Sequence, residues 1–129
     1  MSQDFSLQRI GKFQLSRWKF YEDNIHRFEE LTPLAIFKKH STAFFKALAQ
    51  LEEDEIEYLA LRYYKEPTQL YNKWLGVYQT VKPEKYDVLG VQLGLTDKEL
   101  RELYYPLHVK LGALYTKEEK AFEKERIKQ

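Results

Sequence analysis

The sequence contains no cysteine. That excludes a disulfide framework, a thiolate nucleophile and a zinc–thiolate site. Surplus charge is nearly absent too: 21 basic residues stand against 20 acidic ones, for a net charge of +1. A protein that coats nucleic acid without regard to sequence needs more than this. No apolar run approaches the roughly 20 residues of a membrane-spanning helix, and the opening Met1–Ser6 lacks the apolar core of a signal peptide. A cytoplasmic protein without membrane association is expected. Glycine (five) and proline (four) are scarce, so each one marks a place where the chain turns or helices approach. Aromatic residues are abundant, with ten Tyr, eight Phe and two Trp. They imply an aromatic core or an aromatic contact surface.

A chain of 129 residues that is 43% apolar supports one compact domain. Residues 1–31 read as an irregular aromatic arm, because the alternation in Lys12–Tyr21 slips at Ser16–Arg17. Basic residues interleave with rings here (Arg9, Lys12, Arg17, Lys19, Arg27), a pattern that grips phosphate or packs on a helical core with its charges solvated. From Thr32, a cap followed by Pro33 at the first helical position, Leu34, Phe37, Phe44, Phe45, Leu48 and Leu51 mark a helix. Lys38, Lys39 and His40 fall on its solvated side. The acidic run Glu52–Glu55 suits the start of a second helix, where the macrodipole favours negative charge. That helix buries Ile56, Leu59, Ala60 and Tyr63 and ends near Glu66–Pro67. Leu70, Tyr71, Trp74, Leu75 and Tyr78 again fall at helical spacing, weakened by Gly76. The reading is an all-α domain of about five helices over residues 32–116, preceded by the arm and followed by a charged helix or tail over 117–129.

The most informative stretch is Tyr86–Tyr105. Leu89, Leu93, Leu95, Leu100 and Leu103 supply a core, Gly90 leaves room for crossing helices, and Gly94 suits a sharp turn with positive φ. Thr96 and Glu99 form a capping box that opens the next helix. This is either a helix-turn-helix, whose second helix can enter a DNA major groove, or a plain αα-corner whose leucines only build a core. The exposed positions of that second helix are Thr96, Asp97, Lys98, Arg101, Glu102 and Tyr105. Lys98 and Arg101 suit phosphate or a guanine edge, while Asp97 and Glu102 oppose them. Pro106 predicts a kink after Tyr105, with helix resuming through Leu107–Leu114, and Thr116–Glu119 repeats the capping-box spacing.

Chemistry-bearing constellations are missing. His26, His40 and His108 lack metal-ligand spacing, and His108 reads as a packing or surface residue. Gly90–Gly94 lacks the lysine and hydroxyl of a phosphate loop. No catalytic group, metal ligand or cofactor is assigned, and an enzyme is not expected.

The acidic-led phrase Leu51–Tyr64, containing Leu61-Arg62-Tyr63, then the Tyr86–Tyr105 pair and the closing Lys110–Leu114 phrase, together resemble a sigma-factor region-four helix-turn-helix. The closer resemblance is to phage late-gene transcriptional regulators of the ArpU type. It spans about half the chain and leaves residues 1–45 outside it. It implies a cytoplasmic, phage or mobile-element regulator of transcription that binds double-stranded promoter DNA and acts on host RNA polymerase. Thr96, Lys98, Arg101 and Tyr105 then face the bases, and Lys82 and Lys85 hold phosphates. The insertion at 67–82, Asp97, Glu102 and Pro106 depart from the pattern. They open an alternative: a protein-interaction module, such as an anti-repressor or polymerase-binding modulator, on a degenerate scaffold. With so neutral a face, useful occupancy of DNA calls for a homodimer or a polymerase partner.

Overall fold

Residues 2–24, expected as an irregular arm, form two helices that pack into the core. The computed structural model describes residues 2–29, 36–65 and 67–128. Helix α1 (Ser2–Leu15) and helix α2 (Trp18–Asn24) lead into a short 3-10 turn, Ile25–Glu29. Then come α3 (Lys38–Leu48), α4 (Glu53–Tyr63), strands β1 (Thr68–Asn72) and β2 (Val77–Lys82), α5 (Tyr86–Leu93) and α6 (Asp97–Lys128). The cap expected at Thr32–Pro33 lies outside the described residues, as does Glu66. No described helix is long and apolar enough to cross a membrane.

Two glycines explain why the first segment is helical and fixed. A Cβ on Gly11 would lie 2.1 Å from the His108 carbonyl oxygen, and one on Gly112 would lie 2.0 Å from that of Leu7. Helices α1 and α6 therefore cross backbone against backbone, which only glycine permits at both points. Beyond the crossing, Leu15, Trp18, Phe20 and Tyr21 are buried. Phe20 stands edge-on to Phe37 at 5.0 Å, and Trp18 stacks on Tyr64 at 4.9 Å. Four of the arm's rings (Trp18, Phe20, Tyr21 and Phe28) are core, while Phe5 and Phe13 stay exposed.

The all-α reading is corrected by residues 68–82, which form an antiparallel hairpin and not a helix. The 3–4 spacing of Leu70, Tyr71, Trp74, Leu75 and Tyr78 is coincidental: Tyr71 and Tyr78 are cross-strand neighbours with rings 5.2 Å apart. The turn decides the matter. Asn72 Oδ1 accepts hydrogen bonds from the Trp74 and Leu75 amides (2.9 and 3.2 Å), and Gly76 takes φ +70°. A helix can supply neither. Thr68, Val77, Thr80 and Val81 add β-branched residues that favour strand. The Val81 amide bonds to the Ser16 carbonyl at 3.0 Å, pinning β2 beside the α1–α2 corner. β1 faces solvent, and Trp74 at the tip is 86% exposed.

Helix α6 runs continuously through Pro106, from Asp97 to Lys128. Proline removes one amide donor, but Leu100, Tyr104, Leu107, His108, Leu111 and Tyr115 are buried on both sides of it and hold the axis together. Thr116 is not a new cap either; its hydroxyl bonds back to the Gly112 carbonyl at 2.9 Å, a mid-helix habit. The charged C-terminal stretch is tied down: Lys39 pairs with Glu123 at 3.1 Å, and Lys117 donates to Gln50 at 3.0 Å. Lys39 and His40, expected on a solvated side of α3, instead meet α6.

Candidate nucleic-acid interface

The connection from α4 to α5 is fixed by a reciprocal pairing. The Glu84 amide donates to the Arg62 carbonyl at 2.9 Å, and Arg62 Nε donates to the Glu84 carbonyl at 3.3 Å. Lys85 then caps α5 in an extended conformation, and Gly94 closes the helix at φ +69°. Its amide and that of Leu95 both bond to the Gly90 carbonyl (2.8 and 3.1 Å), satisfying the orphan acceptor of the helix end. A Cβ on Gly90 would sit 2.7 Å from the Leu95 carbonyl oxygen and 3.7 Å from Leu100 Cδ1. The small residue is thus needed chiefly for the turn backbone, and only secondarily for the facing helix. The expected capping box opens α6: the Thr96 amide donates to Glu99 Oε1 (3.0 Å) and the Glu99 amide to Thr96 Oγ1 (3.2 Å).

The first turns of α6 divide cleanly into two faces. Leu100, Tyr104, Leu107 and His108 are buried, whereas Thr96, Lys98, Arg101 and Tyr105 are exposed. Lys82 and Lys85 are exposed as well, at the end of β2 and the start of α5. Neither Lys98 nor Arg101 has an ion-pair partner among the described residues. Asp97 and Glu102 share their rim, so the face carries both signs.

Arg101 and Tyr105 also line a cleft of about 290 Å³ that α1, α4, α5 and α6 build together. The other four candidates do not fall together in this way: Thr96 spends its hydroxyl on the cap, and Lys82, Lys85 and Lys98 lie away from the cleft. What the sequence reading missed is the company Arg101 keeps. Lys12 comes from α1, Arg62 from the end of α4 and Tyr86 from α5. Arg62 lies 4.4 Å over the Tyr86 ring and 5.5 Å over that of Tyr104, with Nη1 3.4 Å from the hydroxyls of Tyr63 and Tyr86. The phrase Leu61-Arg62-Tyr63-Tyr64 stood out in sequence only as a landmark; its arginine between aromatic residues was the available signal.

Beneath the cleft, Tyr63 and His108 Nε2 are 2.8 Å apart, and the His108 ring stacks on Tyr104 at 6.1 Å. Burial first, then the positive charges of Arg62 and Lys12, push the His108 pKa down to about 3. Burial likewise pushes Tyr104 up to about 12, although Arg62 opposes it. Histidine and tyrosines therefore remain neutral, and the fixed charge around them is positive. Comparison with known families, with curated proteins and with solved structures finds no match to this chain.

Proposed function

We propose that this protein is a non-enzymatic, sequence-reading DNA-binding regulator of transcription that lays the start of α6 in the major groove, as phage late-gene regulators of the ArpU type do. The observation that carries this reading is the exposed strip Thr96–Lys98–Arg101–Tyr105, with its two cations unpaired among the described residues, on a helix that follows a capped left-handed glycine turn. Lys82 and Lys85, exposed beside the same helix pair, are assigned to phosphates. Phosphate contacts supply salt-dependent affinity, whereas Arg101 and its neighbours supply discrimination of about 1–3 kcal/mol per good base contact. Asp97 and Glu102 keep that affinity modest, which makes a second protomer or host RNA polymerase the natural partner.

A mobility-shift titration across salt tests this. Binding should weaken steeply as salt rises, and Lys98→Glu should reduce both affinity and the salt slope. Duplex binding that is absent at low salt, or indifferent to Lys98→Glu, would count against it. A second reading, the protein-interaction module, is favoured by the hairpin tip, where Trp74, Tyr71 and Tyr78 are 86%, 58% and 54% exposed. Aromatic anchors of that kind dominate many interfaces. Under this reading Trp74→Ala abolishes polymerase binding while Lys98→Glu leaves it intact.

A further inference from the structure

We propose that the cleft between α1, α4, α5 and α6 is a phosphate-binding site, with Lys12, Arg62 and Arg101 as its cationic donors and Tyr86 and Tyr105 flanking the group that carries the phosphate. Three cations converge from three helices, and none of the residues lining the cleft is a carboxylate. Lys39 and Lys110, by contrast, are neutralised, the first by Glu119 and Glu123 and the second by Glu55 at 2.9 Å. Concentrating three like charges in one concavity is unfavourable unless an anion enters.

Arg62 is the prepared member. Its Nε and Nη1 are occupied by the Glu84 carbonyl and the two tyrosine hydroxyls, and its plane is held over the Tyr86 ring. The Nη2 edge has no acceptor among the described residues. A guanidinium oriented in this way leaves its Nη2 amino group to donate to phosphate oxygens, and the ordering cost has already been met by folding. Lys12 and Arg101 are exposed at the rim and free of ion pairs among the described residues, so they can close on the ligand as point charge and fork. The depressed pKa of the His108 beneath them, lowered by Arg62 and Lys12 as well as by burial, reflects the same uncompensated positive field. The cleft's volume of about 290 Å³ leaves room for the carrier group as well as the phosphate. Two sources share this chemistry, a small phosphomonoester and the DNA backbone, and the assignment does not depend on which is used.

The test uses the full chain and two probes, inorganic phosphate and ribose 5-phosphate, followed by NMR of the Arg62 side chain and the Tyr86 ring at low chloride. Saturable shifts of both groups are expected, with Lys12→Gln and Arg101→Gln each weakening binding about tenfold and Lys73→Gln, outside the cleft, leaving it unchanged. Arg62→Lys keeps the charge but loses the oriented Nη2 donor and should weaken binding further. Should it disturb the aromatic packing, the two rim variants still decide the outcome. No saturable shift, or affinity in both rim variants equal to that of the parent, would overturn the proposal. Duplex DNA then identifies the source. If phosphate competes with duplex and Lys12→Gln weakens both, the site takes a backbone phosphate; if duplex binding is untouched, it takes a small molecule. Loss of all duplex binding with retained phosphate binding would remove the DNA-reading proposal and leave this one standing.

Discussion

Two histidine–tyrosine pairs sit about two turns apart along α6, and they behave in opposite ways. His108 Nε2 meets Tyr63 at 2.8 Å in a site where both are almost wholly buried. His40 Nδ1 meets Tyr115 at the same 2.8 Å, but at the edge of an open groove of about 570 Å³ lined also by Ser6, Arg9 and Ile10. Glu119 lies 3.6 Å from His40 and accepts from Tyr115 at 3.2 Å. The hydrogen-bond length is the same; the surrounding charge is not. Around His108 the influences are burial, Arg62 and Lys12, all acting against protonation. Around His40, Glu119 offsets part of what burial, Lys39 and Arg17 impose. One end of α6 is left positive and the other is balanced, so anions should be drawn to the first.

Both sites share one wall. Helix α1 contributes Gln8 and Lys12 to one cleft and Ser6, Arg9, Ile10 and Phe13 to the other, and it is seated by the Gly11–Gly112 crossing. The most destructive single change should therefore be Gly112→Ala. An added Cβ would lie 2.0 Å from a main-chain oxygen that no side-chain rotation can move. Overpacking against backbone costs about 3 kcal/mol or more, well beyond the ~1 kcal/mol that alanine gains in helix propensity. Chemical denaturation should show that loss, together with collapse of the contrast between the two histidines. An unchanged midpoint would mean that α1 is not packed as described.

The next effect separates the pairs by pH. His108 titrates near 6.5 in the unfolded chain and near 3 in the fold. Between those values the unfolded chain binds a proton that the fold refuses, so stability falls as pH drops through 6.5 toward 3. It is fully present above that window. The slope is about 1.4 kcal/mol per pH unit for one such group. Denaturation midpoints of His108→Gln should therefore flatten relative to the parent below pH 6.5. His40→Gln should alter the slope far less, since its pKa is displaced less and Glu119 compensates.

Hydroxyl removal gives a smaller difference of the same sign. Tyr63→Phe strips a buried imidazole nitrogen of its partner and should cost about 1–3 kcal/mol. Tyr115→Phe leaves His40 half-exposed to water, which replaces the lost bond, and should cost under about 1 kcal/mol. Equal losses would show that the two environments are not distinct.

The difference between the ends of α6 also explains what could be read from sequence. The Gly94 turn and the Thr96–Glu99 box are local: each rests on residues within a few positions, and the spacing shows them directly. The hairpin was misread because five aromatic and aliphatic residues happened to fall at helical spacing, while the true signals, Asn72 and Gly76, are single polar and small residues in a turn. The first segment was misread because Gly11 has meaning only when paired with Gly112, about a hundred positions away. The cationic cleft fails for the same reason. Lys12, Arg62 and Arg101 share no local pattern, and only the crossing of α1 over α6 brings them together. By contrast, the exposed strip on α6 was legible because one helix carries all of it.

The smallest expected effect bears on the balanced end alone. Burial, Lys39 and Arg17 lower the His40 pKa, and Glu119 raises it. Glu119→Gln should therefore lower the His40 pKa further, measured by the ring resonances in an NMR pH titration, while Lys39→Gln should raise it. Because Glu119 also accepts from Tyr115 at 3.2 Å, the glutamine preserves an acceptor there, so the shift isolates charge from hydrogen bonding. His108 should not respond to either change, since neither Glu119 nor Lys39 is among the groups that set its pKa. A His40 pKa that rises in Glu119→Gln, or a His108 that moves with it, would mean that the two ends of α6 share a single electrostatic environment, and the case for a selectively positive cleft would weaken accordingly.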